Sequence, residues 1–542
     1  MQELQSKHTS VSAIQQSANL RSASISYNLA IVGSGTSCAY TLIHYLTLLS
    51  EKLATAQDEE KETIKIAVFD KSGEFWKGIP YGKRSGRQSL IITPLKEFLP
   101  QAERNLFIDW LKSNNQLVLN SLKERTGSLN IKWLESYFEA IEQNLWDELF
   151  IPRYLFGWYL HDRVTSLLED AEVQNRVQCD LIAADVTDIQ KLDRAYQLVT
   201  ANGNLNAEKV VLAIGSPPNK ATFLRQLENI KRSPSSYNIY CTTNMYEPSQ
   251  DKNIERIWQH LKNSCDRTKQ VLIIGSNASA LETIYSLNNQ SEVAALIDRY
   301  VMISPSGEFP HRITNSPASN TFVPQELERL IQQSNFTAKQ IYEAVREDVR
   351  DALARGETIN ATYGIISQGV IKALNLLNYK EQKQFVIKYG VEIGKFQRRA
   401  GSDYLNVAER LMLEGKLQFI KGKFADIVPI AGDRSGFKFV SSTSRELEIF
   451  DSPIQVIINC AGFQNLKQSS SPLINNLIRR GICIPNDSHA GFEINGNFEA
   501  NKNLYLMGPL VAGNINEKLK VWHAESCGRI FNLSQNLATA LI

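Results

Sequence analysis

The residues best suited to chemistry are Gly33-Ser34-Gly35-Thr36-Ser37-Cys38, set between the apolar run Tyr27-Asn28-Leu29-Ala30-Ile31-Val32 and the apolar stretch of residues 39–46. Strand, glycine turn and helix in that order bind a pyrophosphate. Gly33 permits the tight turn, and Gly35 lets a phosphate approach the backbone where any Cβ would obstruct it. The free amides of the helix that starts at Thr36 and Ser37 then face the phosphates. A second apolar run, residues 64–69, ends at Asp70, a carboxylate placed to accept ribose hydroxyls. Asp70 lies farther from Gly35 than the roughly 20 residues of the usual fingerprint, and the polar stretch 50–62 accounts for the excess as a loop or helix extension. Cys38 takes the place of the third glycine, a small side chain where helix and strand pack together.

The unit recurs. Val271-Leu272-Ile273-Ile274 runs into Gly275-Ser276-Asn277 and then into an apolar helical stretch. Asn277 stands where the second glycine would be. Asn tolerates a left-handed backbone better than other non-glycine residues, but its side chain crowds a pyrophosphate. Gly275, Ser276 and Asn277 are therefore either a second nucleotide site or the remnant of one.

Other elements must position these two turns. Residues 210–215 form an apolar strand ending in Gly215, after an alternating meander that turns at Asn202-Gly203. Residues 323–415 show helical spacing, with Leu327, Leu330 and Ile331 and then Ile341, Val345 and Val349 on common faces, and read as a helical insertion. Alternating segments follow to residue 450. Val456-Ile457-Ile458-Asn459-Cys460-Ala461-Gly462 and Leu504-Tyr505-Leu506-Met507-Gly508 then repeat the strand-to-glycine ending.

A chain of 542 residues exceeds one ordinary core and calls for two or three packed units. With 43% hydrophobic and 21% charged residues it is globular in composition. A net charge of +2 supplies no field for nucleic acid or an anionic membrane, and no apolar stretch reaches the about 18 residues of a membrane span. Cys38, Cys179, Cys241, Cys265, Cys460, Cys483 and Cys527 include no CxxC pair, so neither thiol exchange nor a metal site is expected. Residues 1–26 are polar, lack the layout of a secretory signal and read as a flexible lead-in, so a soluble, cytoplasmic protein is expected.

Together with the first turn and Asp70, three further segments resemble those of the FAD/NAD(P)-binding flavoproteins that include FAD-dependent urate hydroxylase. They are Gly78-Ile79-Pro80-Tyr81-Gly82, Phe107-Ile108-Asp109-Trp110-Leu111 and Ile151-Pro152-Arg153-Tyr154-Leu155-Phe156-Gly157-Trp158-Tyr159-Leu160. The resemblance implies an α/β protein of two Rossmann-like dinucleotide-binding domains. The FAD domain would be built from both chain ends (27–225 and 451–542), with an NAD(P)-type domain inserted at 255–450. It implies FAD on Gly33, Ser34, Gly35, Thr36, Ser37 and Asp70 with Gly508 beside the flavin, and NADH or NADPH on the second turn. Three positions depart from the family pattern. Pro509 replaces the acid after Gly508, Ser304-Pro305-Ser306-Gly307 lacks the arginines suited to a 2′-phosphate, and Leu90-Ile91-Ile92-Thr93-Pro94 lacks an Asn.

Implied in turn is an FAD-dependent monooxygenase that draws electrons from NAD(P)H to hydroxylate a small molecule. A flavin oxidase or dehydrogenase reduced directly by its substrate is the second reading. The third is a non-catalytic flavin module whose helical insertion docks a protein partner. No catalytic residue is assigned. His311 with Arg312, and His523, could move protons but read more simply as structural. Arg153 either binds an anion or braces a loop, Arg398-Arg399 could receive an anionic group or form a solvated face, and Cys38 reads as packing rather than as a reactive thiol.

Overall fold

A computed structural model describes residues 26–55, 62–220, 239–314, 318–431 and 434–542. The lead-in through residue 25, and the end of the first domain segment at 221–225, lie outside the described residues. Apolar runs with no polar alternation are what a parallel strand covered on both faces requires, and β1 (Ser26–Val32) and β2 (Ile64–Phe69) pair in parallel at the centre of the first sheet. β3 (Val177–Ile182) follows β2, and β6 (Gly203–Leu212) flanks β1 on its other side. β4 (Val186–Lys191), β5 (Tyr196–Thr200) and β6 form the antiparallel meander expected from the alternation and its Asn-Gly turn. Helix α1 (Thr36–Thr55) crosses from β1 to β2.

The second sheet repeats the first. Its parallel core runs β10 (Leu417–Ile430), β9 (Arg299–Ser304), β8 (Gln270–Ile274), β13 (Val456–Asn459), β7 (Tyr240–Thr242), and β11 (Arg434–Ser441) and β12 (Leu447–Phe450) extend the β10 edge. β8 corresponds to β1, β9 to β2, β10 to β3 and β13 to β6. The last strands, β14 (Glu499–Asn501) and β15 (Leu504–Leu506), return to the first sheet, where β15 pairs β6 in parallel. Both chain ends therefore build one sheet. Strand β13 corrects the boundary set at 451: it pairs with β8 and β7 in the second sheet, because its ending at Cys460 closes that sheet as Ala213 closes the first.

In each unit the crossover after the second strand carries helices. Between β2 and β3 lie α2 (Gln101–Ser113), α3 (Asn115–Lys123), α4 (Ser128–Glu142) and α5 (Arg153–Val173), a bundle the sequence reading did not delimit. The chain passes to the second sheet through α6 (Gln250–Asn263), and α7 (Ala278–Asn289) follows β8. Between β9 and β10 lies the expected helical insertion, including α8 (Ala338–Ala354), α9 (Ile359–Leu376), α10 (Gly390–Phe396) and α11 (Ser402–Leu413). Helices α8 to α10 share an apolar core of their own, with Ile341, Val345, Ile366 and Phe385 at its centre. The chain ends in α12 (Cys527–Leu541), packed on α1. Among the described residues no helix is long and apolar enough to cross a membrane.

Candidate functional site

The two glycine turns share one geometry. In the first, Gly33 N donates to Phe69 O (2.9 Å) and Ala213 N donates to Val32 O (2.8 Å). In the second, Gly275 N donates to Ile303 O and Cys460 N to Ile274 O, both at 2.8 Å. Gly33 has φ +94° and a Cβ on it would lie 2.5 Å from Ala213 O; Gly275 has φ +119° and its Cβ would lie 2.3 Å from Cys460 O. Both turns thus need glycine for the same reason, contact with the carbonyl that ends the neighbouring strand.

Beyond each turn a helix begins with unsatisfied amides, since its first residues have no carbonyl one turn upstream. The N–H groups of Gly35, Thr36 and Ser37 find no acceptor among the described residues, nor do those of Asn277, Ala278 and Ser279. Asn277 is exposed and has φ −93° and ψ −164°, an extended conformation open to any residue, so no left-handed backbone selects it. Gly35 faces Gly78, whose Cα would lie 3.4 Å from a Cβ on Gly35. Gly508, at the end of β15, meets the start of α1: a Cβ there would lie 2.4 Å from Ser37 Oγ.

The units differ at the end of the second strand. Buried Asp70 accepts from Ser34 Oγ (2.8 Å) through Oδ2 and from Ser72 N (2.8 Å) and Ser72 Oγ (2.6 Å) through Oδ1. Two carboxylate oxygens offer about four acceptor sites, and Ser34 N donates to Oδ2 as well, at a long 3.4 Å. In the second unit Ser276 Oγ donates to Ser304 Oγ (3.0 Å). Ser304 therefore occupies the place of the carboxylate, with Lys421 beside it on β10.

Residues 30–217 match the family model described as FAD-NAD(P)-binding. Uncharacterised proteins of Mycobacterium tuberculosis and Mycobacterium bovis are 30% identical over 530 residues, covering 95% of this chain and 95% of theirs. The chain belongs to the same family as these proteins. Among solved structures, the FAD-bound cadaverine monooxygenase of the desferrioxamine biosynthetic pathway from Erwinia amylovora is 10% identical with a TM-score of 0.52, covering 95% of this chain and 94% of that one. That likeness concerns the fold, two dinucleotide-binding units built as described above.

What holds the two units of this family member together was not legible beforehand. Glu282, in the second turn of α7 and 4% exposed, accepts through Oε1 from Arg153 Nη2 (2.5 Å), Ser89 Oγ (2.6 Å), Tyr246 Oη (2.9 Å) and Gln250 Nε2 (3.2 Å). Arg153 therefore braces rather than waits for an anion. Asn289, at the other end of α7, accepts from Leu129 N and Asn130 N at 2.9 Å each, tying the same helix to α4. A sequence signal for Glu282 existed: a carboxylate within Ala280-Leu281-Glu282-Thr283-Ile284, a stretch buried on all sides, must be paired.

The remaining candidates separate. Cys38 is fully buried, and burial, followed by Cys179 and Asp70, holds its thiol well above the usual range, so it stays protonated and packs. His311 lies in a two-residue parallel bridge with Arg399. Burial, then Arg529 and Arg398, pushes His523 down to about 4, so it is neutral at pH 7. Among the described residues no group of three His, Cys, Asp or Glu could hold a metal.

Proposed function

We propose that the chain is an FAD-dependent monooxygenase that takes electrons from NAD(P)H and hydroxylates a small molecule. The observation that carries this reading is the atom-for-atom repetition of the glycine turn, each with free amides at a helix start, in a chain of this family. The residues fit the cofactors: a Cβ at Gly33 or Gly275 would close the turn, and the orphaned amides of α1 and α7 want an anion. In this reading Gly33, Ser34, Gly35, Thr36 and Ser37 hold the FAD pyrophosphate, Asp70 its ribose, and Gly508 borders the flavin side. Gly275, Ser276 and Asn277 hold the nicotinamide dinucleotide. Bound flavin supplies the electron transfer and oxygen chemistry. The protein's share is to bind, to orient the two units through Glu282 and Arg153, and to exclude water.

The reading is tested by the visible spectrum of the purified protein during anaerobic titration with NADH and then NADPH. A yellow flavin that bleaches supports it, and a flavin that stays oxidised moves the assignment to an enzyme reduced by its own substrate. Asp70→Asn should weaken FAD binding about 10-fold or more, the cost of a hydrogen bond to a charged group, as read by equilibrium dialysis.

The second unit lacks the carboxylate that accepts a 2′-hydroxyl and repels a 2′-phosphate. NADPH is therefore expected to bind at least as well as NADH. Ser304→Asp should shift the ratio toward NADH by about 10-fold, close to 1.4 kcal/mol, and an unchanged ratio of dissociation constants would remove Ser304 from the selection.

A further inference from the structure

The serine of the glycine turn makes the same bond in both units, but its partner at the end of the second strand differs. Ser34 Oγ donates to the Asp70 carboxylate, whereas Ser276 Oγ donates to the Ser304 hydroxyl. We infer that the second unit selects a dinucleotide with a phosphate on the 2′-oxygen of its adenosine ribose, gripped by Ser306 Oγ and the Lys421 ammonium. The inference rests on the NAD(P)H reading of this unit and names the residues that choose NADPH over NADH.

The turns that follow β2 and β9 correspond residue for residue. Gly73 N donates to Asp70 O (3.3 Å) and Gly307 N to Ser304 O (3.2 Å), with the two glycines at φ +68° and +66°. A Cβ on Gly73 would lie 3.3 Å from Ala183 Cβ, and one on Gly307 would lie 2.8 Å from Lys421 Cβ and 3.0 Å from its Cγ. Strand register gives the same match, since Phe69 pairs with Ile182 as Ile303 pairs with Ile420. Asp70, Ser72 and Ala183 of the first unit are thus Ser304, Ser306 and Lys421 of the second.

These exchanges reverse the hydrogen bonding at the turn. In the first unit Ser72 Oγ donates inward to Asp70 Oδ1 at 2.6 Å. In the second, Ser304, 5% exposed, accepts at Oγ from Ser276 Oγ (3.0 Å) and from Gly307 N (3.1 Å). A hydroxyl has two lone pairs and one proton. Both lone pairs are taken, so the Ser304 proton goes to Ser306 Oγ, 3.2 Å away. Ser306 is exposed, and its own proton is left to donate outward. Ser304 therefore keeps no lone pair for the proton of a 2′-hydroxyl, while Ser306 offers a donor to an oxyanion.

Lys421 adds the charge. It pairs in register with Ser304, and its stem packs against Gly307, so the side chain rises from the same turn as the Ser306 hydroxyl. A side chain on Gly307 would collide with that stem. Lys421 is exposed, and its ammonium pairs with no carboxylate among the described residues. Lys423 shares its face of β10, because Ile420, Gly422 and Phe424 are the buried positions of the alternation. The first unit has uncharged Ala183 at the place of Lys421. A cation from the neighbouring strand thus stands in for the arginines that Ser304-Pro305-Ser306-Gly307 lacks.

The test uses the full-length, flavin-loaded protein and two nucleotides that differ only in the 2′-phosphate, 2′,5′-ADP and 5′-AMP, with binding read by titration calorimetry. The first should bind about 10- to 100-fold tighter, the worth of hydrogen bonds to a charged group. Lys421→Gln should remove about 10-fold of that preference and leave 5′-AMP affinity and the melting temperature unchanged. Lys421→Arg should retain the preference, and Ser306→Ala should lose a smaller part of it. Added NaCl should shrink it, because an exposed lysine is screened. Equal affinity for the two nucleotides, or a Lys421→Gln variant that loses both alike, overturns the inference and leaves the NAD(P)H reading in place. Binding of neither nucleotide removes both. Should 2′,5′-ADP bind through Lys421 while NADPH fails to bleach the flavin, the phosphate site stands and the monooxygenase reading falls.

Discussion

Gly33→Ala should yield a protein that is purified without flavin and is less stable by about 2–5 kcal/mol, the sum of a strained backbone and an overpacked contact. The added methyl must sit at φ +94° and 2.5 Å from Ala213 O. Neither neighbour can yield, because Ala30 and Ile31 on β1 and Val210 to Leu212 on β6 are fully buried and paired in register. Relief can come only by moving the turn, which displaces the amides of Gly35, Thr36 and Ser37 from any phosphate. Gly275→Ala is the matched experiment, with its methyl 2.3 Å from Cys460 O. It should keep FAD, since β1 and α1 are untouched, but lose reduction by NAD(P)H. Flavin-to-protein ratio, melting temperature and anaerobic bleaching separate the two variants. Normal flavin content in Gly33→Ala, or fast bleaching in Gly275→Ala, would dissociate the turns from their assigned ligands.

That contrast also explains what could be read from the sequence. A glycine turn is a local event, so its residues lie together in the chain and both copies were visible, as was the helical periodicity of the insertion. Parallel pairing is not local. β13 has the same apolar character as the strands of either sheet, and only its partners β7 and β8 assign it. The helices between β2 and β3 were harder to delimit because α5 is buried along Tyr154, Leu155, Phe156, Tyr159 and Leu160, which blurs a one-sided stripe. Asn277 drew a conformational explanation from its residue type, whereas its position as the residue before α7 leaves the backbone extended.

The need of Glu282 for a partner was legible, but the partners themselves, distant in sequence, were not, and their cluster carries the second large effect. Glu282→Ala should destabilise the protein by about 3–5 kcal/mol, because it strands the Arg153 guanidinium in a buried position. Tyr246, Ser89 and Gln250 lose their shared acceptor at the same time. Arg153→Leu should cost a similar amount by stranding the carboxylate. The double variant Arg153→Leu/Glu282→Leu should recover much of the loss, since an apolar pair avoids both desolvation penalties. Flavin reduction by NAD(P)H separates stability from geometry. If the cluster sets the angle between the two units, the double variant should regain its melting temperature but still be reduced slowly, whereas recovery of both would make the cluster a stability element alone. Either result follows from one fact of the fold: Glu282 is on the helix that begins at the second glycine turn, and Arg153 and Ser89 belong to the first unit.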